Sequence, residues 1–373
     1  MPDVFDPIQA GSLTLPNRFL RSATWEGLAA PDGSATPELA ERMAELARGQ
    51  VGLVISGHAF VTPEGRAGLR QLGANDDALL PGLASLAQAV HEAGGLCALQ
   101  IAHAGDQGNS ALSGLEAVGP SDVERPGTLP VRALDREGME RLTRAFVQAA
   151  LRARKAGFDA VQLHAAHGYL LSQFLSPVWN RRDDAYGGSP AKRARFPLEV
   201  ARAVRKALGP DFPLLVKLNA GDFVEGGPEP EDMVRAALRF EEAGVDAVEL
   251  SGGCRQAGEA FMPARKGHIR TQEEEAYHRR AAKHAKERGL KIPLFLVGGI
   301  RSFEVAQGLV ASGAADGVSL CRPLICEPDL VKRWRGGDLR PAQCVSDNAC
   351  YGPGFAGEGI RCVTFEKRRA RES

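Results

Sequence analysis

Short apolar runs alternate with longer amphipathic stretches through almost the whole chain. After an opening segment, Met1–Asn17, the pattern predicts a strand at Arg18–Ala23 and a helix at Pro37–Arg48. A strand at Gly52–Ser56 precedes a helix near Leu79–Glu92, and a strand at Leu96–Ala102 precedes a long helix at Arg136–Ala156. Strands at Ala160–His164 and Pro213–Leu218 are followed by helices at Pro190–Leu208 and Pro228–Ala243. The last three units pair Ala247–Leu250 with Gln272–Arg288, Pro293–Val297 with Phe303–Ser312, and Gly317–Leu320 with Pro328–Arg335.

The strands read as apolar runs rather than polar–apolar alternation, the pattern of strands buried on both faces of a parallel sheet. Helices end repeatedly on a glycine, at Gly94, Gly157, Gly244 and Gly313, where a left-handed residue turns the chain back. Eight such units in a row favour a closed barrel over a doubly wound sheet. The expected fold is α/β, a single-domain (β/α)8 TIM barrel over residues 1–340, with residues 341–373 as a C-terminal extension packed on it.

Composition narrows the function classes. The chain has 373 residues, more than the ~250 typical of this fold, so insertions are expected. Lys plus Arg and Asp plus Glu both number 46, so no basic surplus points to nucleic acid. No apolar run reaches the ~18 residues a membrane span needs, and no signal-peptide pattern opens the chain. Seven cysteines, an odd number, fit a reduced cytoplasmic protein without disulfides. Its partner is then a small-molecule substrate, and a homo-oligomer remains open.

Barrel chemistry gathers at the C-terminal ends of the strands. Thr24, Gln100, His103, His164, His167, Lys217, Gly298-Gly299, Arg301 and Arg322 fall there. A Gly-Gly turn after strand seven with an arginine after strand eight suits a phosphate, and also suits a plain tight turn. The His164/His167 pair reads three ways: structural histidines, metal ligands, or two N–H donors aimed at one substrate oxygen. No H-E-x-x-H pattern accompanies them, and Tyr169 fits the third reading as a proton donor.

The stretch His164-Ala-Ala-His167-Gly-Tyr169-Leu closely resembles the old yellow enzyme family. So do Phe174-Leu-Ser-Pro, Asn180-Arg-Arg-Asp-Asp-Ala-Tyr-Gly-Gly-Ser and Arg193-Ala-Arg-Phe196. Phe5-Asp-Pro-Ile, Pro16-Asn-Arg, Gln100-Ile-Ala-His-Ala-Gly and Cys321-Arg-Pro extend the match from Phe5 to about Gly336. The resemblance implies an FMN cofactor reduced by NADH or NADPH, and ping-pong reduction of activated C=C bonds in enones, enals, enoates and nitroalkenes.

It also implies roles by position. Thr24 stands for the hydroxyl near flavin N5 and O4, Gln100 for the side chain on the pyrimidine edge, and Lys217 for an arginine on the N1–O2 side. Lysine keeps the charge there but loses the two-pronged planar contact. Gly298, Gly299, Cys321 and Arg322 stand for the phosphate cradle. Ser22, Ala23 and His58 are further cofactor-binding positions. His164, His167 and Tyr169 become the catalytic group, and Trp25 and Tyr351 candidate pocket walls.

Cys344, Cys350 and Cys362 resemble ligands of an iron–sulfur cluster in larger relatives, the dienoyl-CoA reductases and amine dehydrogenases, which carry a further nucleotide-binding domain. Asp347 occupies one cysteine position of that motif, and only about ten residues follow Cys362. The expectation is a remnant motif with no metal and no second domain. The alternative functions are a flavin-dependent amine demethylase or dehydrogenase, and a non-redox phosphate-binding barrel isomerase.

Overall fold

The computed structural model describes residues 1–123, 129–267 and 269–372. Eight parallel strands form its centre: β1 Phe19–Arg21, β2 Leu53–Ile55, β3 Cys97–Ala102, β4 Ala160–Ala165, β5 Leu214–Asn219, β6 Ala247–Ser251, β7 Leu294–Val297 and β8 Gly317–Leu320. Each pairs with its neighbours, β8 pairs with β1, and β2 pairs with β3, so the sheet closes. The outer helices are α1 Pro37–Arg48, α2 Leu80–Glu92, α3 Arg136–Lys155, α4 Arg195–Leu208, α5 Pro230–Glu242, α6 Arg279–Glu287 and α7 Phe303–Ala311. Thr36 and Asp135 cap α1 and α3 by accepting from Leu39 N–H and Gly138 N–H.

Two predicted helices change. The run Pro190–Leu208 divides into Pro190–Arg193 and α4. Gln272–Arg288 keeps one turn, Gln272–Glu274, before α6. The break lies where Glu275 turns inward to accept from Arg301 N–H, Ser302 N–H and Ser302 Oγ–H, and Ala276 adopts φ +50°. A carboxylate that caps the next βα turn cannot also continue a helix.

Alternate residues of a strand face the barrel interior. Leu20, Leu53, Ala98, Ala160, Leu215, Ala247 and Phe295 form one apolar layer, and Ala10 and Leu15 of a hairpin, Ile8–Ala10 with Leu13–Leu15, join the same cluster. Two residues further along, the inward positions are polar: Ser22, Gln100, Gln162, Lys217, Glu249 and Ser319. The strands are therefore not uniformly apolar.

At the N-terminal ends a device recurs. Asp159, Asp246 and Asp316 each accept the first N–H of the preceding strand, from Cys97, Leu214 and Leu294, at 2.8 Å. Each also meets a basic side chain near a helix C-terminus: His91 of α2, Arg205 of α4 and Lys286 of α6. His91, Cys97 and Asp159 form the one cluster of metal-ligating types found among the described residues. Its counterparts at β5 and β7 show the same geometry with Arg and Lys, so a strand staple accounts for it without an ion.

Beyond β8 follow α8 Arg322–Cys326, α9 Leu330–Arg335, α10 Tyr351–Phe355 and α11 Val363–Glu372. Ala342 N–H donates to Arg301 O, Ile360 N–H to Glu26 O, and Phe355 meets Trp25 at 5.3 Å between centroids. The extension thus lies against the C-terminal mouth of the barrel. No described helix is long and apolar enough to cross a membrane.

Replacing Asp246 by Ala leaves the Leu214 N–H without its acceptor and Arg205 without its anion. The loss should be about 1–3 kcal/mol in urea unfolding. Ligand binding at the opposite mouth should be unchanged.

Candidate active site

The C-terminal mouth opens on a cavity of about 310 Å³. All thirteen residues given a catalytic or cofactor role by the resemblance line it: His164, His167 and Tyr169 together with Ser22, Ala23, Thr24, His58, Gln100, Lys217, Gly298, Gly299, Cys321 and Arg322. Trp25 and Tyr351 are on its wall. His103 is not: its buried ring packs against Gly65, and Nδ1 accepts from Gly105 N–H at 3.0 Å.

The floor is the polar inward layer. Lys217 Nζ donates to Ser22 Oγ at 2.7 Å and to Glu249 Oε1 at 3.2 Å, and both members of that ion pair are buried. Gln100 Nε2 donates to Gln162 Oε1 at 2.6 Å. Burial works to raise the Glu249 carboxyl, but the Lys217 cation and donors from Ser22, Ser319 and Gln162 hold it below the ordinary carboxylate value. Register explains the meeting, because Lys217 lies opposite both Glu249 and His164 on neighbouring strands.

At one side, Thr24 Oγ1 accepts from Arg21 Nη1 at 2.5 Å and donates to the Ser22 carbonyl. Arg21 also holds Glu26 at 2.7 Å, a buried ion pair behind the hydroxyl. At the far end Gly298 and Gly299 have φ +146° and +73°. A Cβ on either would stand under 3 Å from the Tyr277 ring, so no other residue fits this turn without displacing it. Arg322 Nη1 donates to the Arg265 and Ser346 carbonyls and to Asn348 Oδ1. The cradle arginine is therefore held by the β6 loop and by the extension.

Above the floor, His167 adopts φ +63°, with its N–H on Asn219 Oδ1 at 3.1 Å. This turn brings the His164 and His167 rings to 5.1 Å, near perpendicular. Tyr169 lies 4.7 Å from the His164 ring, and its hydroxyl is 3.1 Å from His58 Nε2. Burial first, then the His167 charge for His164 and the Lys217 charge for His167, hold both imidazoles well below their ordinary value. His164 Nδ1 accepts from Ala166 N–H at 3.3 Å, so a neutral His164 carries its proton on Nε2. Burial raises the Tyr169 phenol above its ordinary range.

The sequence reading missed Glu249, Gln162, Ser319, Arg21 and Cys326. The first three sit at one phase of β6, β4 and β8, where a polar residue interrupts an apolar run; that interruption was the available signal. Cys326 lies close to Cys362, whose thiol this neighbour and the Phe365 and Thr364 N–H groups hold down at about 7. Asp347 Oδ2 accepts from Thr364 Oγ1 at 2.5 Å.

Buried neutral histidines set a pH dependence. Burial lowers His58 and His103 from 6.5 to about 4. Between these values the unfolded chain binds more protons than the folded one. Their contribution is complete above 6.5 and is lost as pH falls toward 4. Urea midpoints should decline through this window, and replacing His103 by Gln should flatten the decline.

The NADH:flavin oxidoreductase / NADH oxidase family profile matches residues 3–338. The NADH oxidase of Thermoanaerobacter brockii is 37% identical over 370 residues, 97% of this chain and 56% of that protein. Among solved structures, 2-naphthoyl-CoA reductase in complex with 2-naphthoyl-CoA is similar at TM-score 0.89 and 28% identity, over 99% of this chain and 58% of its own. The old yellow enzyme homologue from Zymomonas mobilis is similar at TM-score 0.78 and 29% identity, over 98% of both chains. This chain thus spans little more than half the length of the first two relatives. FMN is the flavin of the family, with NADH or NADPH as its reductant, and the cavity suits it: an acceptor and a cation on the floor, a hydroxyl at one side, and a glycine turn with an arginine at the end. Profile, fold and cavity agree, and the chain belongs to the NADH:flavin oxidoreductase / NADH oxidase family, which includes the old yellow enzymes.

Proposed function

We propose that this protein reduces activated C=C bonds of enones, enals, enoates and nitroalkenes with NADH or NADPH, in ping-pong fashion at the β-barrel mouth. The carrying observation is the convergence of His164, His167 and Tyr169 over the Lys217/Gln100 floor. When bound, FMN supplies the two-electron relay between nicotinamide and alkene.

His164 and His167, neutral and close together, hold the carbonyl or nitro oxygen of the substrate and stabilise the negative charge that grows there. Tyr169 gives its proton to the α-carbon. A phenol whose ionisation is disfavoured by burial stays protonated until substrate is in place. The Thr24 hydroxyl, Gln100 and Lys217 orient the flavin edge, and Gly298, Gly299, Cys321 and Arg322 take its phosphate. Walls at Trp25 and Tyr351 limit access of water. No metal enters this route. Asp347, at one position of the cysteine motif, accepts from the Thr364 hydroxyl.

Replacing both His164 and His167 by Ala removes two donors, each worth on the order of 10²–10³ in rate, so alkene reduction should nearly vanish and phenol binding weaken in parallel. In Tyr169→Phe, stopped-flow should show reduction by nicotinamide within a few-fold of wild type. Enone turnover should slow strongly, while a nitroalkene, whose anion is stable, should still be reduced. Equal slowing of both half-reactions would remove Tyr169 from the role of acid. Protein purified without oxygen should lack stoichiometric iron; about four irons per chain would contradict the metal-free route.

A further inference from the structure

A carboxylate only accepts hydrogen bonds, and that one-sidedness propagates across the barrel. Glu249 Oε1 takes the Ser319 hydroxyl at 2.6 Å and Lys217 Nζ at 3.2 Å. Its other oxygen, Oε2, takes Gln162 Nε2 at 2.9 Å. Gln162 must therefore turn its oxygen the other way, and that oxygen receives Gln100 Nε2 at 2.6 Å. Gln100 lines the cavity, and with its amide nitrogen turned to Gln162 its Oε1, for which no protein donor is found among the described residues, is the atom set to face a ligand as acceptor. Glu249 and Gln162 are completely buried and Gln100 is 1% exposed, so water cannot scramble the order.

We propose that Glu249 is a positioning residue that fixes the direction of this hydrogen-bond chain, so that the floor presents an acceptor at Gln100 and a cation at Lys217 to the flavin pyrimidine. The polarity matches a ring whose N3 carries a proton and whose N1–O2 side accepts. The inference rests on the reading of Gln100 and Lys217 as flavin contacts, and goes beyond it by naming what orients them.

In Glu249→Gln, the amide oxygen is kept by its donors Ser319 and Lys217, so its NH₂ faces Gln162. Gln162 then reverses, Gln100 reverses after it, and an NH₂ group meets the flavin N3–H. A buried donor facing a donor costs about 10- to 100-fold in affinity. The double variant Glu249→Gln/Gln162→Glu puts the carboxylate one step along. It accepts from the new amide at position 249 on one side and from Gln100 on the other, which turns Gln100 Oε1 back to the cavity.

The test is titration of the apoprotein with FMN and with FMN methylated at N3, followed by flavin fluorescence. Wild type should strongly prefer FMN. Glu249→Gln should bind FMN about 10- to 100-fold more weakly and lose most of that preference, and the double variant should regain it. A structural defect alone would weaken both ligands equally. Retention of the preference in Glu249→Gln, or its absence in a folded double variant, overturns the proposal. If Glu249→Gln does not fold, Gln162→Leu disconnects Gln100 from Glu249 without touching a charge. It must also lose preference, and an unchanged ratio there overturns the proposal. Gln100→Leu separates the two readings: undiminished FMN affinity would mean that Gln100 does not contact the flavin at all.

Discussion

A closed parallel barrel leaves its inward side chains no solvent, so whatever faces the axis must be packed or paired. Here the constraint is met in two ways along one axis. Near the N-terminal mouth the inward positions are aliphatic or aromatic and need no partner. One layer up stands an ion pair that could not survive alone in such a place. Lys217 and Glu249 persist because serines and glutamines of neighbouring strands take up their remaining hydrogen-bonding capacity. The site above is built on that layer: Glu249 holds Lys217 directly and reaches Gln100 through Gln162.

Stability and chemistry are thereby separated along the barrel. The aspartate staples secure β3, β5 and β7 at the end remote from the cavity. The catalytic end carries features that cost stability: a left-handed His167, two glycines forced by the Tyr277 ring, and three imidazoles denied their protons by burial. The extension bears on this end as well. Through Ser346 and Asn348 it fixes Arg322, so the residue expected to meet a phosphate is held by a segment outside the barrel.

The thiols show how one motif position can change meaning. Asp347, the position the resemblance would give to a cysteine, caps the turn into α11 through Thr364 and accepts from Ala349 N–H. Cys326, from the helix behind the cradle, lies close to Cys362. The resemblance grouped Cys344, Cys350 and Cys362, and did not include Cys326, eighteen positions before the first of them.

Much was legible in the sequence because it is local. Periodicity and glycine punctuation marked eight strand–helix units, with Pro37–Arg48 and Gly317–Leu320 matched end to end. The strand-end position of His164, His167 and Tyr169 followed from counting along one short segment. Tertiary structure alone decided which groups share a hydrogen bond across the axis. Gln100, Gln162, Glu249, Lys217 and Ser319 come from five strands, and their meeting depends on register between strands far apart in the chain. It also decided where a helix stops when a distant turn needs its carboxylate, as at Glu275. Local pattern specifies which way a side chain faces; only closure of the barrel specifies what it faces.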